Sequence, residues 1–255
     1  MPSPLYVVLE RLFDDASLFP PASKPMAEAL RAHADAVAGP HRRVAGPFLC
    51  PSLRLPELDA LVTSGVPAPD AVGVVGYDGF GDWRKAFATP GLVHIEIPAG
   101  APVPDSPGRV QRYVELAPQA DIGPALDAIA RSGARVKVRC DGPTRYAVPS
   151  CEWLASVLVA CGNRHLMLKA AGGPHRPFRE TGPGGARHGF VNLLAAAGAA
   201  RRGAPESMIA EVLALEAPDA AGLVDHVAGA REMVASISAC SITGPVLALE
   251  EHDLL

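Results

Sequence analysis

Lysine is rare in this 255-residue sequence: the only four are Lys24, Lys85, Lys137 and Lys169, and every other fixed positive charge is an arginine. Two of the four stand inside short apolar runs, Arg135-Val136-Lys137-Val138-Arg139-Cys140 and Leu166-Met167-Leu168-Lys169-Ala170-Ala171. Arginine pairs with carboxylates at least as well as lysine, whereas only an amine can shed its proton and attack a carbonyl carbon. A second cation close by, or removal from water, lowers an amine's pKa toward neutrality. Two neighbouring strand-end lysines therefore suit Schiff-base chemistry. Acids occur in comparable settings, Glu96 in His94-Ile95-Glu96-Ile97-Pro98 and Glu115 in Tyr113-Val114-Glu115-Leu116-Ala117. Each charge alone reads equally well as a structural ion pair or a strand end reaching solvent. As a set, two acids and three bases on successive strands predict one shared mouth.

The elements that must hold them follow from the periodicity. Short β-rich runs alternate with longer Ala/Leu-rich helical patterns, the order of βαβ units around a parallel sheet. Eight strands are predicted, over residues 8–12, 44–51, 71–76, 92–98, 111–117, 135–140, 165–171 and 233–239. Helices are predicted over 25–38, 55–64, 122–132, 150–161, 205–215 and 220–231, with Asp121 and Ser150 as N-caps and Gly133 and Gly162 as left-handed C-caps. An open doubly wound sheet normally carries a Gly-rich turn after its first strand. Here Phe13 is followed by Asp14-Asp15-Ala16-Ser17-Leu18-Phe19-Pro20-Pro21. The α/β fold expected is thus a single-domain (β/α)8 TIM barrel, whose chemistry belongs at the C-terminal ends of the strands. Alternation places Lys137 and Arg139 on one strand face and Val136, Val138 and Cys140 on the other.

Composition narrows the function. A net charge of −4 and a pI near 6.1 offer no basic face for nucleic acid, whose binding requires displacement of phosphate counterions. The N-terminal segment has no export-signal pattern and no apolar stretch reaches membrane-spanning length, so a cytoplasmic protein without a membrane partner is expected. The five cysteines, Cys50, Cys140, Cys151, Cys161 and Cys240, form no CxxC pair and read mostly as small buried hydrophobes. Self-association into a homo-oligomer is left open.

Residues 172–189 are long for a βα connection and rich in basic groups: His175, Arg176, Arg179, Arg187 and His188. Such a loop at the active face suits a small anionic substrate, although a merely solvated loop has the same composition. His175 and His188 could instead join Asp14, Asp15 or Glu96 around a divalent metal. No HExxH or i, i+4 spacing supports that, and no metal or cofactor is expected. Asp14 and Asp15 could equally cap the turn that follows them. No Gly-x-Ser-x-Gly elbow or P-loop is present.

The segments beginning at Val136 (Val-Lys-Val-Arg-Cys-Asp-Gly), Leu168 (Leu-Lys-Ala-Ala-Gly-Gly) and Ser238 (Ser-Ala-Cys-Ser-Ile) together resemble the deoxyribose-phosphate aldolase group of class I aldolases. In that group a Schiff-base lysine lies on the sixth strand and a second lysine on the seventh, in a Lys-Pro-Ala-Gly-Gly type segment. A Gly-Ala-Ser-Ser type turn after the eighth strand helps to hold phosphate. The resemblance covers about the last half of the chain. It implies that Lys137 forms the imine, that Lys169 depresses its pKa, and that Gly172, Gly173 and Ser241 donate to an anion. Glu96 or Glu115 would relay protons, and Arg139, Asp15 and the basic loop would bind substrate. Arg139 departs from the small polar residue of the group, and the segment after Gly173 is longer and more basic. The sequence also resembles a bacterial group with comparable Asp-Asp, Lys-x-Arg and Lys-to-His segments, which implies no particular activity. The expected function is a carbon–carbon lyase acting through a lysine imine. The alternatives are a metal-assisted barrel hydrolase or isomerase, and a non-catalytic anion-binding barrel.

Overall fold

The computed structural model describes residues 4–76, 83–118, 121–140, 148–172, 174–183, 185–217, 219 and 221–255. Eight parallel strands close into a barrel: β1 (Phe13–Asp15), β2 (Ala45–Pro51), β3 (Val72–Val75), β4 (Leu92–Ile97), β5 (Gln111–Glu115), β6 (Arg135–Arg139), β7 (Leu168–Ala171) and β10 (Val234–Ala239), the last pairing with both β7 and β1. Two further short strands, β8 (Glu180–Gly182) and β9 (Gly185–Arg187), form an antiparallel hairpin outside the barrel. Around the barrel lie α2 (Met26–Ala38), α3 (Leu55–Thr63), α4 (Trp83–Phe87), α5 (Ile122–Arg131), α6 (Cys151–Asn163), α7 (Phe190–Arg201), α8 (Glu206–Ala214) and α9 (Gly244–Glu250), with a short α1 (Pro4–Val8) preceding β1. The predicted (β/α)8 barrel is the observed fold.

Seven of the eight predicted strands coincide with barrel strands to within a few residues, because β-branched runs bounded by Gly and Pro leave little choice. The first does not. Leu5, Val8, Leu9 and Leu12 are buried at spacings of three and four, a helical period, so this segment forms α1 and a turn, and β1 begins only at Phe13. The shift moves Asp14 and Asp15 from a connection into the barrel wall. The segment predicted as a helix over 220–231 is instead two 3₁₀ turns, Ala221–His226 and Ala230–Glu232, separated at Gly229, whose φ of 79° cannot continue a helix. Ser150 caps α6 as expected, accepting from Trp153 N–H at 3.1 Å, and Gly133 takes the left-handed conformation after α5. Asp121 precedes α5 without a side-chain cap bond, and Gly162 lies inside α6, where His165 takes the positive φ instead.

The helix α7 was not apparent in the sequence. Ten of its twelve residues are buried, from Phe190 through Ala199, so it has no polar face and no amphipathic period to reveal it. Gly189 precedes it for a steric reason: a Cβ there would stand 2.3 Å from the Phe178 carbonyl carbon. No helix among the described residues is long and apolar enough to cross a membrane.

Candidate active site

The inward faces of the strands follow from alternation and register. Glu115 aligns with Lys137, Lys137 with Lys169, and Lys169 with Ser236, so these four side chains stand at one level around the lumen. A barrel lumen is ordinarily filled with layered apolar side chains. Here it holds a charge network. Lys137 Nζ lies 2.9 Å from Glu96 Oε2 and 3.1 Å from Glu115 Oε2. Lys169 Nζ lies 2.7 Å from Glu96 Oε1 and also donates to Asp14 Oδ2, which accepts from Ser236 Oγ at 2.8 Å. Glu96 thus bridges both amines, and three carboxylates face two ammonium groups.

His94 lies two residues before Glu96 on the same face. Its Nε2 is 3.3 Å from Glu96 Oε1 and 3.4 Å from Lys169 Nζ, and its ring meets Tyr113 edge-on at 5.3 Å between centroids. Gly73 makes that placement possible, since a Cβ there would come within 2.2 Å of His94 Nε2. Below, Arg135 Nη1 donates to the Tyr113 hydroxyl at 3.3 Å.

Ion pairing decides the protonation states, against the opposing effect of burial. Burial is the largest influence on Glu96 and works against its charge, but Lys169, Lys137 and His94 together hold the carboxyl well below the usual range. For Lys137, burial disfavours the ammonium most strongly, yet Glu96 and Glu115 more than restore it, and its pKa lies above that of an ordinary lysine. Lys169 is raised as well, with Asp14 and Glu96 overcoming its complete burial. The expected depression of Lys137 by Lys169 is therefore corrected: a carboxylate lies between the two amines, and attraction to it exceeds their mutual repulsion.

Lys137, Lys169, Glu96 and Glu115 come together, and Arg139, half-buried, lies two residues nearer the mouth on the Lys137 face. The other predicted site residues do not join them. Asp15 points to the helix layer, where Oδ2 contacts His33 Nδ1 at 3.1 Å and Oδ1 accepts from Ser17 N–H at 3.0 Å. Gly172, with a φ of 62°, ends β7, and Gly173 lies outside the described residues. Ser241 is exposed, its hydroxyl 3.1 Å from that of Thr243 and accepting from Gly244 N–H at 3.3 Å. Arg176 reaches outward to Glu180 and Glu251, both at 3.6 Å. Arg179 contacts His188, whose Nε2 lies 2.8 Å from the Pro149 carbonyl oxygen and whose imidazolium is disfavoured chiefly by burial. His175 lies against Cys240 Sγ at 3.7 Å.

Of the donors considered for a metal, Asp14 and Glu96 meet across Lys169 while Asp15, His175 and His188 lie with other partners, and among the described residues no three His, Cys, Asp or Glu side chains are arranged to hold a metal ion. Four of the five cysteines are buried, and burial pushes Cys50 and Cys161 up to about 12. A surface cleft of about 360 Å³ between α2 and residues 240–243 is lined by Asp15, Ser17, Lys24 and Asp35 and by none of the network lysines.

Sequence reasoning missed His94, Tyr113 and Ser236, and considered Asp14 only as a metal donor or a turn cap. His94, Tyr113 and Ser236 could have been found, since each shares the face of a neighbouring strand position by simple alternation. Asp14 was hidden by the misplaced first strand. The chain matches no protein-family model, no curated protein and no solved structure.

Proposed function

We propose that the protein is a carbon–carbon lyase of the class I aldolase type, acting on a small anionic carbonyl compound through an imine at Lys137. The observation that carries this reading is the amine of Lys137 held 2.9 and 3.1 Å from two carboxylates, one of them shared at 2.7 Å with a second lysine. Buried ion pairs are costly to desolvate, and well-packed apolar residues in their place are often neutral or stabilising. Five charged residues in a lumen normally filled with apolar side chains are therefore better explained by chemistry than by stability.

Of the two amines, Lys137 is the nucleophile, because Lys169 is wholly enclosed and tied to Asp14 and Glu96, whereas Glu115 and Arg139 beside Lys137 are only partly buried. At rest Lys137 is an ammonium. Transfer of one proton to Glu115 or Glu96 frees its lone pair, which attacks the substrate carbonyl to give a carbinolamine. The carbinolamine hydroxyl takes the proton back and leaves as water, producing the iminium. For cleavage, a carboxylate accepts the proton of a β-hydroxyl while the Cα–Cβ bond breaks, its electron pair flowing to the iminium as an enamine and the departing fragment becoming a carbonyl. Protonation of the enamine at carbon and hydrolysis return the amine. Lys169 fixes Glu96 in its ionised form for these transfers, and Arg139 meets the anionic group.

Borohydride reduction in the presence of pyruvate, glyceraldehyde or other small carbonyl compounds, followed by peptide mass spectrometry, tests the reading. Stable alkylation of Lys137 is expected, and absent in Lys137→Arg. Labelling confined to the partly exposed Lys24 and the exposed Lys85 would remove the imine.

A further inference from the structure

Two buried polar atoms in the lumen satisfy nothing in the protein. Asp14 is 1 % exposed; its Oδ2 serves Lys169 and Ser236, while Oδ1 has no hydrogen-bond partner. Ser238 is 5 % exposed and its Oγ is likewise unpartnered. The two residues are register partners on the adjacent strands β1 and β10, and Ser238 lies two residues beyond Ser236, on the face that aligns with Lys169. Buried groups of this kind nearly always find partners, so an adjacent pair without them calls for an explanation. Opposite Oδ1 lies a glycine, so no side chain stands against it. A Cβ at Gly46 would stand 2.4 Å from that oxygen, at the point where the β1–β2 register shifts.

The chemistry of the pair selects its ligand. A carboxylate oxygen accepts and a serine hydroxyl can donate, so together they match a group that does both. An anion there would be repelled by Asp14, and a cation by the ammonium of Lys169. A neutral hydroxyl meets neither objection. Toward the mouth on this side the lumen turns apolar, with Ala16, Leu49 and Val75 forming a small cluster of their own against Phe19.

We propose that Asp14 Oδ1 and Ser238 Oγ form a hydroxyl-binding subsite, so that the compound reacting at Lys137 is a hydroxylated carbonyl whose alcohol donates to Asp14 and accepts from Ser238. The inference rests on the assignment of Lys137 given above as nucleophile. Leaving buried polar partners empty penalises an analogue that lacks the hydroxyl, and sites built around one discriminate by orders of magnitude.

The probes are matched pairs, hydroxyacetone against acetone and glycolaldehyde against acetaldehyde, scored by reductive labelling at Lys137. The exposed Lys85 in the same sample gives the intrinsic reactivity of each probe. At limiting probe, the hydroxylated member is expected to label Lys137 at least ~10-fold faster than its partner after that correction. The preference should vanish in Ser238→Ala and survive in Ser238→Thr, which keeps the hydroxyl. Ligand-observed NMR of the same pairs without reductant reads binding alone. If Lys137 is never labelled yet hydroxyacetone binds in preference to acetone and Ser238→Ala abolishes this, the subsite stands and the imine falls. Equal handling of both members, or a preference unchanged in Ser238→Ala, overturns the subsite and leaves those atoms to a bound water.

Discussion

At the residue scale, the central fact is that Glu96 is shared. One carboxylate with two ammonium neighbours at 2.7 and 2.9 Å makes each lysine's protonation depend on the other's. Because Glu96 and Glu115 raise Lys137 against the effect of burial, removing one of them must lower its pKa. In Glu96→Gln, labelling of Lys137 by formaldehyde and cyanoborohydride should therefore begin at lower pH than in the wild type, because the neutral amine appears sooner. Turnover should nevertheless fall by about 10²- to 10⁴-fold, the usual worth of a positioned acid–base group. An unchanged pH dependence would show that Glu96 does not govern the amine. The signal for this network lay in lysines placed where arginine would have served a structural pair equally well, and in charges recurring on successive strands. The signs of the pKa shifts were not legible, because they depend on a carboxylate lying between the amines rather than on the amines alone.

At the element scale, the strands act as a ruler. Register sets Glu115, Lys137, Lys169 and Ser236 at one height, and glycines on β2 and β3 leave room for what the neighbouring strands project. Gly73→Ala would drive a methyl into His94 and Leu49, and overpacking of this sort costs about 1–3 kcal/mol. The expected result is a lower denaturant midpoint together with displaced His94 ring resonances in NMR spectra. By contrast, Ser150→Ala removes only the cap of α6, with a loss of about 1 kcal/mol and no effect on Lys137 labelling. Helices with one wet face and strands bounded by Gly and Pro were legible. The α7 helix, buried over ten of its twelve residues, and the helical N-terminal segment were not, since the first has no polar face and the second was too short to separate a period of 2 from one of 3.6.

At the scale of the whole molecule, the lumen network ties stability to pH at both ends. Glu96 is depressed below its unfolded value, so its contribution is present above about pH 4.3 and is lost as pH falls through the folded pKa. Lys137 and Lys169 are raised, so their contribution is complete below about pH 10.4 and disappears as pH rises through their folded values. Thermal unfolding across this range should show a plateau with acid and alkaline flanks. In Glu96→Gln the acid flank should flatten and the plateau should drop by about 3–5 kcal/mol, because two buried ammonium groups lose a shared partner. An acid flank of wild-type steepness in that variant would place the acid sensitivity elsewhere.

Local covalent structure and periodicity were enough to establish the barrel, the cap at Ser150, the burial of most cysteines, and a common face for Lys137 and Arg139. These depend on near neighbours in the chain and on whether a segment repeats every two residues or every three to four. Which residues of the first strand face the lumen depends on where that strand begins. That single shift brought Asp14 rather than Asp15 into the lumen, while Arg176 and His188 have partners of their own away from it. Long-range packing decided it, because burial of Leu5, Leu9 and Leu12 on a helix and the turn that follows it outweighs the weak preference of so short a run for the extended state.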